Sequence, residues 1–200
     1  MLDLGFTVHG RELPRVHRAA LAAALFGALP WLEATPRAAV HRLNLVATGG
    51  ATALLSARTR LTLRLPRQRL EDAEGLCGTT LDVAGHPLRI GTARPRELLA
   101  FGTLYAHFVA ADGAAAAGDE AAFLRAAQAE LDTMQVSARA ICGRHQRLEG
   151  GTLGGYALML DHLDAADSRR VLELGLGPHR LWGCGVFVPH KSAAAVGMPD

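Results

Sequence analysis

Two close pairs of glycines near the end of the chain surround side chains that could bind an anion. The residues concerned are Gly175, Gly177, His179, Arg180, Gly183 and Gly185. Glycine allows positive φ and close approach of another backbone, so two Gly-x-Gly steps predict a bent loop with bare amide groups. Such a loop, with basic side chains inside it, would suit a phosphate. A plainer interpretation is a glycine that ends a helix, followed by a tight turn into a last strand. Both interpretations can hold together.

The order of elements around these glycines excludes a dinucleotide-binding fingerprint, which needs its glycines after a strand and at the start of a helix. Here a helical stretch comes first and the apolar run 186–188 comes last. The form Gly-Leu-Gly-x-x-Arg-x-x-Gly-Cys-Gly-x-Phe-x-Pro instead resembles the C-terminal signature of the RAMP superfamily of CRISPR-associated proteins. It is similar to the repeat-cleaving endoribonucleases that mature crRNA, in their short I-MYXAN subtype.

The resemblance continues at the start of the chain, in residues 10–21, and covers most of it, with a weaker middle. There a short strand leads through Leu-Pro to His17, near the start of the first helix. In the resembling enzymes a histidine at this place commonly serves a metal-independent cleavage. The 2′-hydroxyl attacks the neighbouring phosphate and leaves a 2′,3′-cyclic phosphate and a 5′-hydroxyl. The resemblance therefore implies that His17 is catalytic.

General chemistry supports this role for His17. Histidine titrates near neutrality, so it can accept or donate a proton at working pH. The positive end of a helix binds phosphate and favours the neutral, basic imidazole. The alternative is an ordinary histidine on the rim of a helix.

The reaction also needs positive charge for the developing phosphorane and a proton donor for the leaving oxygen. The resembling proteins often carry a Gly-Arg-x-Arg-like strand, which His145 interrupts here. The candidates are Arg18, Arg144, His145 and Arg147. His145 and His41 are lesser candidates for catalysis, and the general acid stays unassigned. For His41 and His179 we favour an RNA contact or a structural role over catalysis.

Alternation over residues 54–65 predicts a strand with one apolar face and one face that carries Arg58, Arg60 and Arg64. A solvated outer face is the plainer interpretation. Three arginines with almost no acid nearby favour a track for an RNA backbone, whose affinity would depend on salt. Aromatic residues make up only 5% of the chain. RNA recognition would therefore depend on the shape of a repeat hairpin and on splayed bases, rather than on bases that stack against aromatic side chains of a sheet.

Amino-acid composition narrows the classes of protein to which this chain could belong. Two hundred residues with 50% hydrophobic content can bury a substantial core, and a net charge of +2 says little about nucleic acid. All but one of the 21 basic residues are arginine, which suits phosphate contacts or reflects a GC-rich genome. Three scattered cysteines predict neither a disulfide framework nor a zinc site, and we expect a cytoplasmic protein without cofactor or metal. Neither a signal peptide nor a membrane span is predicted.

The first 95 residues predict the order strand, helix, two strands, helix, strand, which is ferredoxin-like. The expected elements are a strand at 2–8, a helix with Pro14 in its first turn, strands at 40–46 and 54–65, a helix at 69–76 and a hairpin at 80–90 that turns at Gly85. The second half repeats the order. It is expected to hold a strand at 98–110, a flexible connector at 111–118, a helix from Asp119, strands at 137–148 and 152–161, a helix from Asp164 and a final strand.

These patterns and the resemblance agree on an α+β fold with two tandem ferredoxin-like halves (βαββαβ, RRM/RAMP-type) and antiparallel sheets. The predicted domains are residues 1–95 and residues 96–190, the latter with the glycine-rich loop 175–185, and residues 191–200 are a mobile tail.

The implied function is a CRISPR-associated endoribonuclease that cuts precursor crRNA within its repeats. Its partners would be the stem-loop repeat RNA and other subunits of an effector complex, with no membrane. One alternative is a RAMP scaffold subunit that binds crRNA without cutting it. Another is a small ferredoxin-like metabolic enzyme or ligand-binding domain.

Overall fold

A computed structural model describes residues 1–190 and divides the chain into two compact units. The first unit comprises residues 1–97 and 181–183, and the second comprises residues 98–180 together with the described residues from 184 to 190. The predicted mobile tail, residues 191–200, lies outside the described residues. Within those residues, the helices are too short or too polar to cross a membrane.

The first unit contains a five-stranded and a three-stranded antiparallel sheet. Its elements are β1 (Leu2–His9), β2 (Glu12–Pro14), α1 (Arg18–Ala28), β3 (Ala39–Val40), β4 (Val46–Ala47), β5 (Thr52–Leu54), β6 (Arg60–Leu65), α2 (Leu70–Glu74), β7 (Thr80–Val83) and β8 (His86–Glu97). The large sheet has the order β3-β6-β1-β8-β7, and the small one has the order β2-β5-β4. Without the added edge strand β7, the large sheet has the ferredoxin-like strand order.

The core of the first unit follows from alternation in β1. Leu2, Leu4, Phe6 and Val8 are buried, whereas the odd-numbered positions between them lie on the opposite, polar face. The buried face packs with apolar side chains of α1 such as Leu21. The hairpin formed by β7 and β8 turns at Gly85, as predicted, and this glycine has a φ of +82°.

Three element predictions for the first unit are wrong in their bounds. The first helix starts at Arg18 because Pro14 pairs with Thr52 in the small sheet. The predicted strand 40–46 is reduced to its two ends, β3 and β4. The strand predicted from residue 54 is split, because Thr59 closes a turn: its hydroxyl accepts from the Ser56 amide and donates to the Asn44 carbonyl.

The second unit has one four-stranded antiparallel sheet with the ferredoxin-like order β10-β11-β9-β12. Its elements are β9 (Leu104–Ala110), α3 (Gly113–Ala117), α4 (Glu120–Thr133), β10 (Arg139–Leu148), β11 (Leu153–Asp161), α5 (Ala165–Leu174) and β12 (Val188–Pro189). Asp119 and Asp164 cap the second and third of these helices, as predicted, through hydrogen bonds from backbone amides three residues later.

Two predictions for the second unit need correction. The strand expected from residue 98 begins at Leu104, and before it the Phe101 amide donates to the Ser168 hydroxyl instead of joining the sheet. The expected connector 111–118 contains the short helix α3, which Gly118 ends with a φ of +118°. These differences leave the class unchanged: the fold is α+β with antiparallel sheets and two ferredoxin-like halves.

Candidate active site

His17 lies beside a small cavity in the first unit. The cavity is lined by His17, Arg18, Leu21, Val40, His41, Arg42, Leu43, Leu181 and Trp182. Two histidines and two arginines therefore surround one depression. His17 is the predicted catalytic residue, His41 a lesser candidate and Arg18 a predicted source of positive charge, whereas Arg42 was not predicted. Its volume is only about 10 Å³, so a phosphate would lie over its mouth rather than inside it.

The backbone before α1 fixes the ring of His17. His17 is the residue that immediately precedes α1. Its Nδ1 lies 2.9 Å from the Pro14 carbonyl oxygen and 3.2 Å from that of Arg15. Carbonyl oxygens only accept, so Nδ1 carries the proton and Nε2 carries the lone pair of the neutral ring. In this tautomer Nε2 is the nitrogen that could accept a proton, so the geometry is compatible with the predicted role of His17 as a base.

His41, which follows β3, is held by a carboxylate on β1, with β6 between these two strands in the sheet. Its Nε2 donates to Asp3 Oδ1 over 3.1 Å. The same carboxylate accepts two hydrogen bonds from Arg64, from Nε at 2.7 Å and from the terminal nitrogen at 2.9 Å. Asp3 and Arg64 are directly opposite each other in β1 and β6, and the His41 amide donates to the Thr62 carbonyl beside them. The antiparallel register thus places these three side chains together.

The inclusion of Arg64 in an exposed arginine track is wrong. Its side chain is only 1% exposed, and it forms a bidentate ion pair with Asp3. Burial acts to raise the pKa of Asp3, but the hydrogen bonds from Arg64 and His41 outweigh it and hold that pKa well below its usual range. Arg58 is not on the strand either, since it lies in the turn before β6. Arg58 and Arg60 are exposed, and their role in RNA binding stays a prediction.

Arg18 contacts the last part of the glycine-rich stretch. Its guanidinium donates to the carbonyl oxygens of Trp182, at 2.8 Å, and Gly183, at 3.0 Å. A Cβ atom on Gly183 would lie 3.0 Å from that guanidinium and 3.2 Å from the Val40 carbonyl oxygen. Only glycine fits here at a φ of +76°. Arg18 therefore holds residues 182–183 beside the cavity through one of its terminal nitrogens.

The expectation of bare amides in the glycine-rich loop is wrong at three of its glycines. The amides of Gly175, Gly177 and Gly185 donate to the Val171 carbonyl, the Glu130 carboxylate and the Phe108 carbonyl, respectively. These glycines serve close backbone packing: a Cβ on Gly177, for example, would lie 2.7 Å from the Ala110 carbonyl oxygen. The plainer interpretation, a helix end followed by a tight turn, fits these contacts.

The two side chains within this loop have different surroundings. Arg180 donates to the carbonyls of Glu173 and Leu174, so it caps the end of α5. His179 is exposed, has a φ of +64°, and its carbonyl accepts from the Cys184 amide. Arg180 thus has a structural role at the end of α5, and RNA contacts by Arg180 and His179 stay predictions.

The segment around His145 belongs to the second unit. His145 Nε2 donates to the Ala116 carbonyl over 3.0 Å, and the ring lies 5.1 Å from that of Tyr156. These contacts give His145 a packing role between β10, β11 and α3. Arg144 and Arg147 on β10 are exposed, so RNA contacts by them stay a prediction.

The sequence reasoning missed three arginines on the polar face of the large sheet. Arg89, Arg94 and Arg96 of β8 are exposed and are opposite His9, Gly5 and Asp3 of β1, respectively. Cross-strand partners share a face, and Arg60 of β6, opposite Thr7, joins the same face. We call Arg60, Arg89, Arg94 and Arg96 the basic sheet face. The period-two spacing of Arg94 and Arg96 could have indicated that both lie on one face of a strand. It was not used because the hairpin was predicted to end at residue 90, whereas β8 continues to Glu97.

The basic sheet face should show itself in the salt dependence of RNA binding. We expect Arg94→Ala with Arg96→Ala to weaken affinity for repeat RNA and to lower the slope of log affinity against log salt by about 0.7 to 0.9 for each lost phosphate contact. Arg58→Ala with Arg60→Ala tests, in the same way, the two exposed arginines of the track that was predicted from the sequence. The matched control is Arg125→Ala with Arg169→Ala, two exposed arginines on helices of the second unit. An unchanged slope would show that the face is merely solvated.

Among residues 1–190, His, Cys, Asp and Glu side chains do not gather in groups of three or more that could hold a metal ion. The three cysteines are free thiols.

Two ferredoxin-like halves with a glycine-rich loop are the architecture that the resemblance to RAMP proteins implied, and comparison with known proteins identifies the family. The family model described as Cas6 Crispr matches residues 2–192. The chain is 34% identical over 197 residues to the CRISPR-associated endonuclease Cas6 of Myxococcus xanthus (strain DK1622), an alignment that covers 98% of this chain and 84% of that protein. The chain belongs to the Cas6 family.

Solved structures confirm the fold. A CRISPR-associated protein Cas6 superposes with a TM-score of 0.68 at 11% identity, covering 95% of this chain and 99% of that one. A RAMP protein described as binding different RNA substrates superposes with a TM-score of 0.66 at 11% identity, covering 94% and 98%. At this identity the likeness concerns the fold alone.

Proposed function

We propose that this protein is a CRISPR-associated endoribonuclease that cuts precursor crRNA within its repeats. The observation that carries the proposal is His17, whose Nδ1–H is held by the Pro14 carbonyl so that Nε2 is the basic nitrogen. It lines a cavity with His41, Arg18 and Arg42. Membership of the Cas6 family, with a Myxococcus xanthus relative named as an endonuclease, gives the class of reaction.

The proposed chemistry is an attack of the 2′-hydroxyl on the adjacent phosphorus. Nε2 of His17 accepts the hydroxyl proton as the bond between the 2′-oxygen and phosphorus forms. Positive charge at the rim of the cavity, above all from Arg42, stabilises the phosphorane. The bond to the 5′-oxygen then breaks, which leaves a 2′,3′-cyclic phosphate and a 5′-hydroxyl.

The substrate would be held mainly through its phosphates. The basic sheet face supplies four exposed arginines on one surface, and phosphate neutralisation gives most of the affinity of such a surface. Sequence selection would come from the shape of the repeat stem-loop and from bases outside it. Other subunits of a CRISPR effector complex are the proposed protein partners of the product complex.

The deciding experiment is incubation with the CRISPR repeat RNA of the host, with and without EDTA. We expect the same single-turnover rate in both, because the proton transfers are assigned to side chains, and a 2′,3′-cyclic phosphate on the upstream product by mass spectrometry. Loss of cleavage in EDTA that only a divalent ion restores would overturn the mechanism. Tight binding of the repeat without cleavage would identify a scaffold subunit instead.

A further inference from the structure

The carboxylate of Asp3 connects a buried arginine to a histidine of the candidate site. Asp3 Oδ1 accepts from both Arg64 Nε and His41 Nε2, at 2.7 and 3.1 Å. The side chains of Arg64, His41 and Asp3 are 1%, 14% and 18% exposed, respectively. Because the guanidinium is bidentate and almost fully buried, it fixes the carboxylate, and the carboxylate in turn fixes the imidazole.

This arrangement determines which nitrogen of His41 is available to substrate. A carboxylate only accepts, so the Nε2 proton points at Asp3 and Nδ1 is the second nitrogen of the ring. His17 has the opposite arrangement, with Nδ1 bound to the backbone and Nε2 as its second nitrogen. Both rings line the same cavity. Two oppositely held imidazoles at one phosphate site suit a base and an acid.

We propose that His41 is the general acid of the cleavage and that Asp3, fixed by Arg64, is its positioning residue. The proposal rests on the proposed endoribonuclease function and assigns the proton donor of that reaction.

The proton inventory of the reaction balances with these two histidines. The 2′-hydroxyl proton passes to His17 Nε2 as the new bond to phosphorus forms. The bond from phosphorus to the 5′-oxygen breaks, and His41, which enters this step as the imidazolium with protons on both ring nitrogens, gives its Nδ1 proton to that oxygen and keeps its Nε2 proton on Asp3. The enzyme ends with one proton more on His17 and one fewer on His41, and exchange with water restores the starting state. No co-reactant beyond the RNA is needed.

The charged groups around His41 come from several elements. Asp3 lies on β1 and Arg64 on β6, whereas Arg96 of β8 is opposite Asp3 in the sheet. Arg42 follows His41 directly, and His17 and Arg18 face the same cavity from the start of α1. A plain pH profile would therefore not isolate the contribution of His41. A test that isolates the leaving oxygen is sharper.

Sulfur at the leaving position provides such a test. A thiolate leaves without protonation, so a repeat RNA with a 5′-bridging sulfur at the scissile phosphate does not need the general acid. On the ordinary RNA, His41→Ala should slow single-turnover cleavage by about a hundredfold to ten-thousandfold. On the sulfur substrate the same variant should be within a few-fold of wild type. His17→Asn should remain slow on both substrates, because sulfur does not replace the base.

Asp3→Asn tests the positioning role. We expect it to slow cleavage of the ordinary RNA by about tenfold to a hundredfold, to be rescued by the sulfur substrate, and to add nothing when His41→Ala is already present. Because this variant disturbs Arg64, rates are measured where circular dichroism shows folded protein. The ¹⁵N chemical shifts of the His41 ring give an independent readout. We expect the neutral ring to carry its proton on Nε2 in wild type, and to be a mixture of the Nε2–H and Nδ1–H tautomers in the Asp3→Asn variant.

The outcomes separate this inference from the proposed function. If wild type cuts neither substrate, the endoribonuclease proposal fails. If wild type cuts the ordinary RNA and His41→Ala cuts it at the same rate, His41 is not the acid. The same conclusion follows if His41→Ala is slow on the ordinary RNA and equally slow on the sulfur substrate. If Asp3→Asn is slow but not rescued, or cuts as wild type does, Asp3 is only the structural partner of Arg64.

Discussion

We expect His17→Asn to reduce the single-turnover rate of repeat cleavage by about a hundredfold to ten-thousandfold, while repeat affinity stays within a few-fold of wild type. Asparagine removes the basic Nε2 but keeps an amide that can donate to a backbone carbonyl. It is also a favourable residue immediately before a helix, so α1 should be at least as stable. Rates and affinities are measured on the same preparation, with labelled repeat RNA in excess enzyme.

The control for His17→Asn is His162→Ala, which removes a histidine that is 73% exposed in the second unit. This control should cut at the wild-type rate. Parallel losses of rate and affinity in His17→Asn would make His17 a binding or packing residue. A wild-type rate would show that it is not catalytic and would direct attention to His145, which the packing against Tyr156 otherwise marks as structural.

The second large effect concerns stability. We expect Asp3→Ala to lower the free energy of unfolding by about 3–5 kcal/mol, because it leaves the charge of Arg64 buried without its carboxylate. Removing both partners, with Asp3→Leu and Arg64→Leu, should recover most of this loss, since a buried pair contributes little over apolar side chains of similar size. Urea unfolding followed by circular dichroism measures both variants.

A matched ion pair on the surface serves as the control. Arg67 donates to Glu97 over 2.6 Å, and these side chains are 66% and 60% exposed. Glu97→Ala should therefore cost about 1 kcal/mol or less. Equal losses for Asp3→Ala and Glu97→Ala would contradict the argument that burial makes the Asp3 pair costly to break.

The same pair should contribute to acid sensitivity. The pKa of Asp3 is lowered in the folded protein relative to about 3.9 in an unfolded chain, so the folded state binds fewer protons. The stabilising contribution is complete above about pH 5, begins to be lost as the pH falls past the unfolded pKa, and is gone once the pH has fallen through the lower pKa of the folded state. A variant with leucine at both positions should lose less stability than wild type between pH 5 and 3.

Local patterns were sufficient for much of the fold. The alternation in β1, the capping aspartates before α4 and α5, and the turn at Gly85 depend on residues close together in the chain, and the structure confirms them. The resemblance of the glycine-rich motif was sufficient to predict the family. The glycines near residue 180 are required because other backbone segments pack closely against them. Because a Cβ atom at these positions would clash with backbone atoms, the packing requires glycine there, and the requirement can be read from the sequence.

The sequence could not determine the partners of charged side chains across the sheet. Arg64 looked like part of an exposed stripe because period-two alternation assigns a face without saying what lies opposite. The antiparallel register of β1 and β6 sets Asp3, sixty-one positions away in the chain, against it. His41 enters the site for the same reason, since its hydrogen bond to Asp3 spans two strands. Local pattern thus determined most elements and the family. Strand register, a long-range property, determined which arginines are exposed and which carboxylate holds the histidine that lines the cavity with His17.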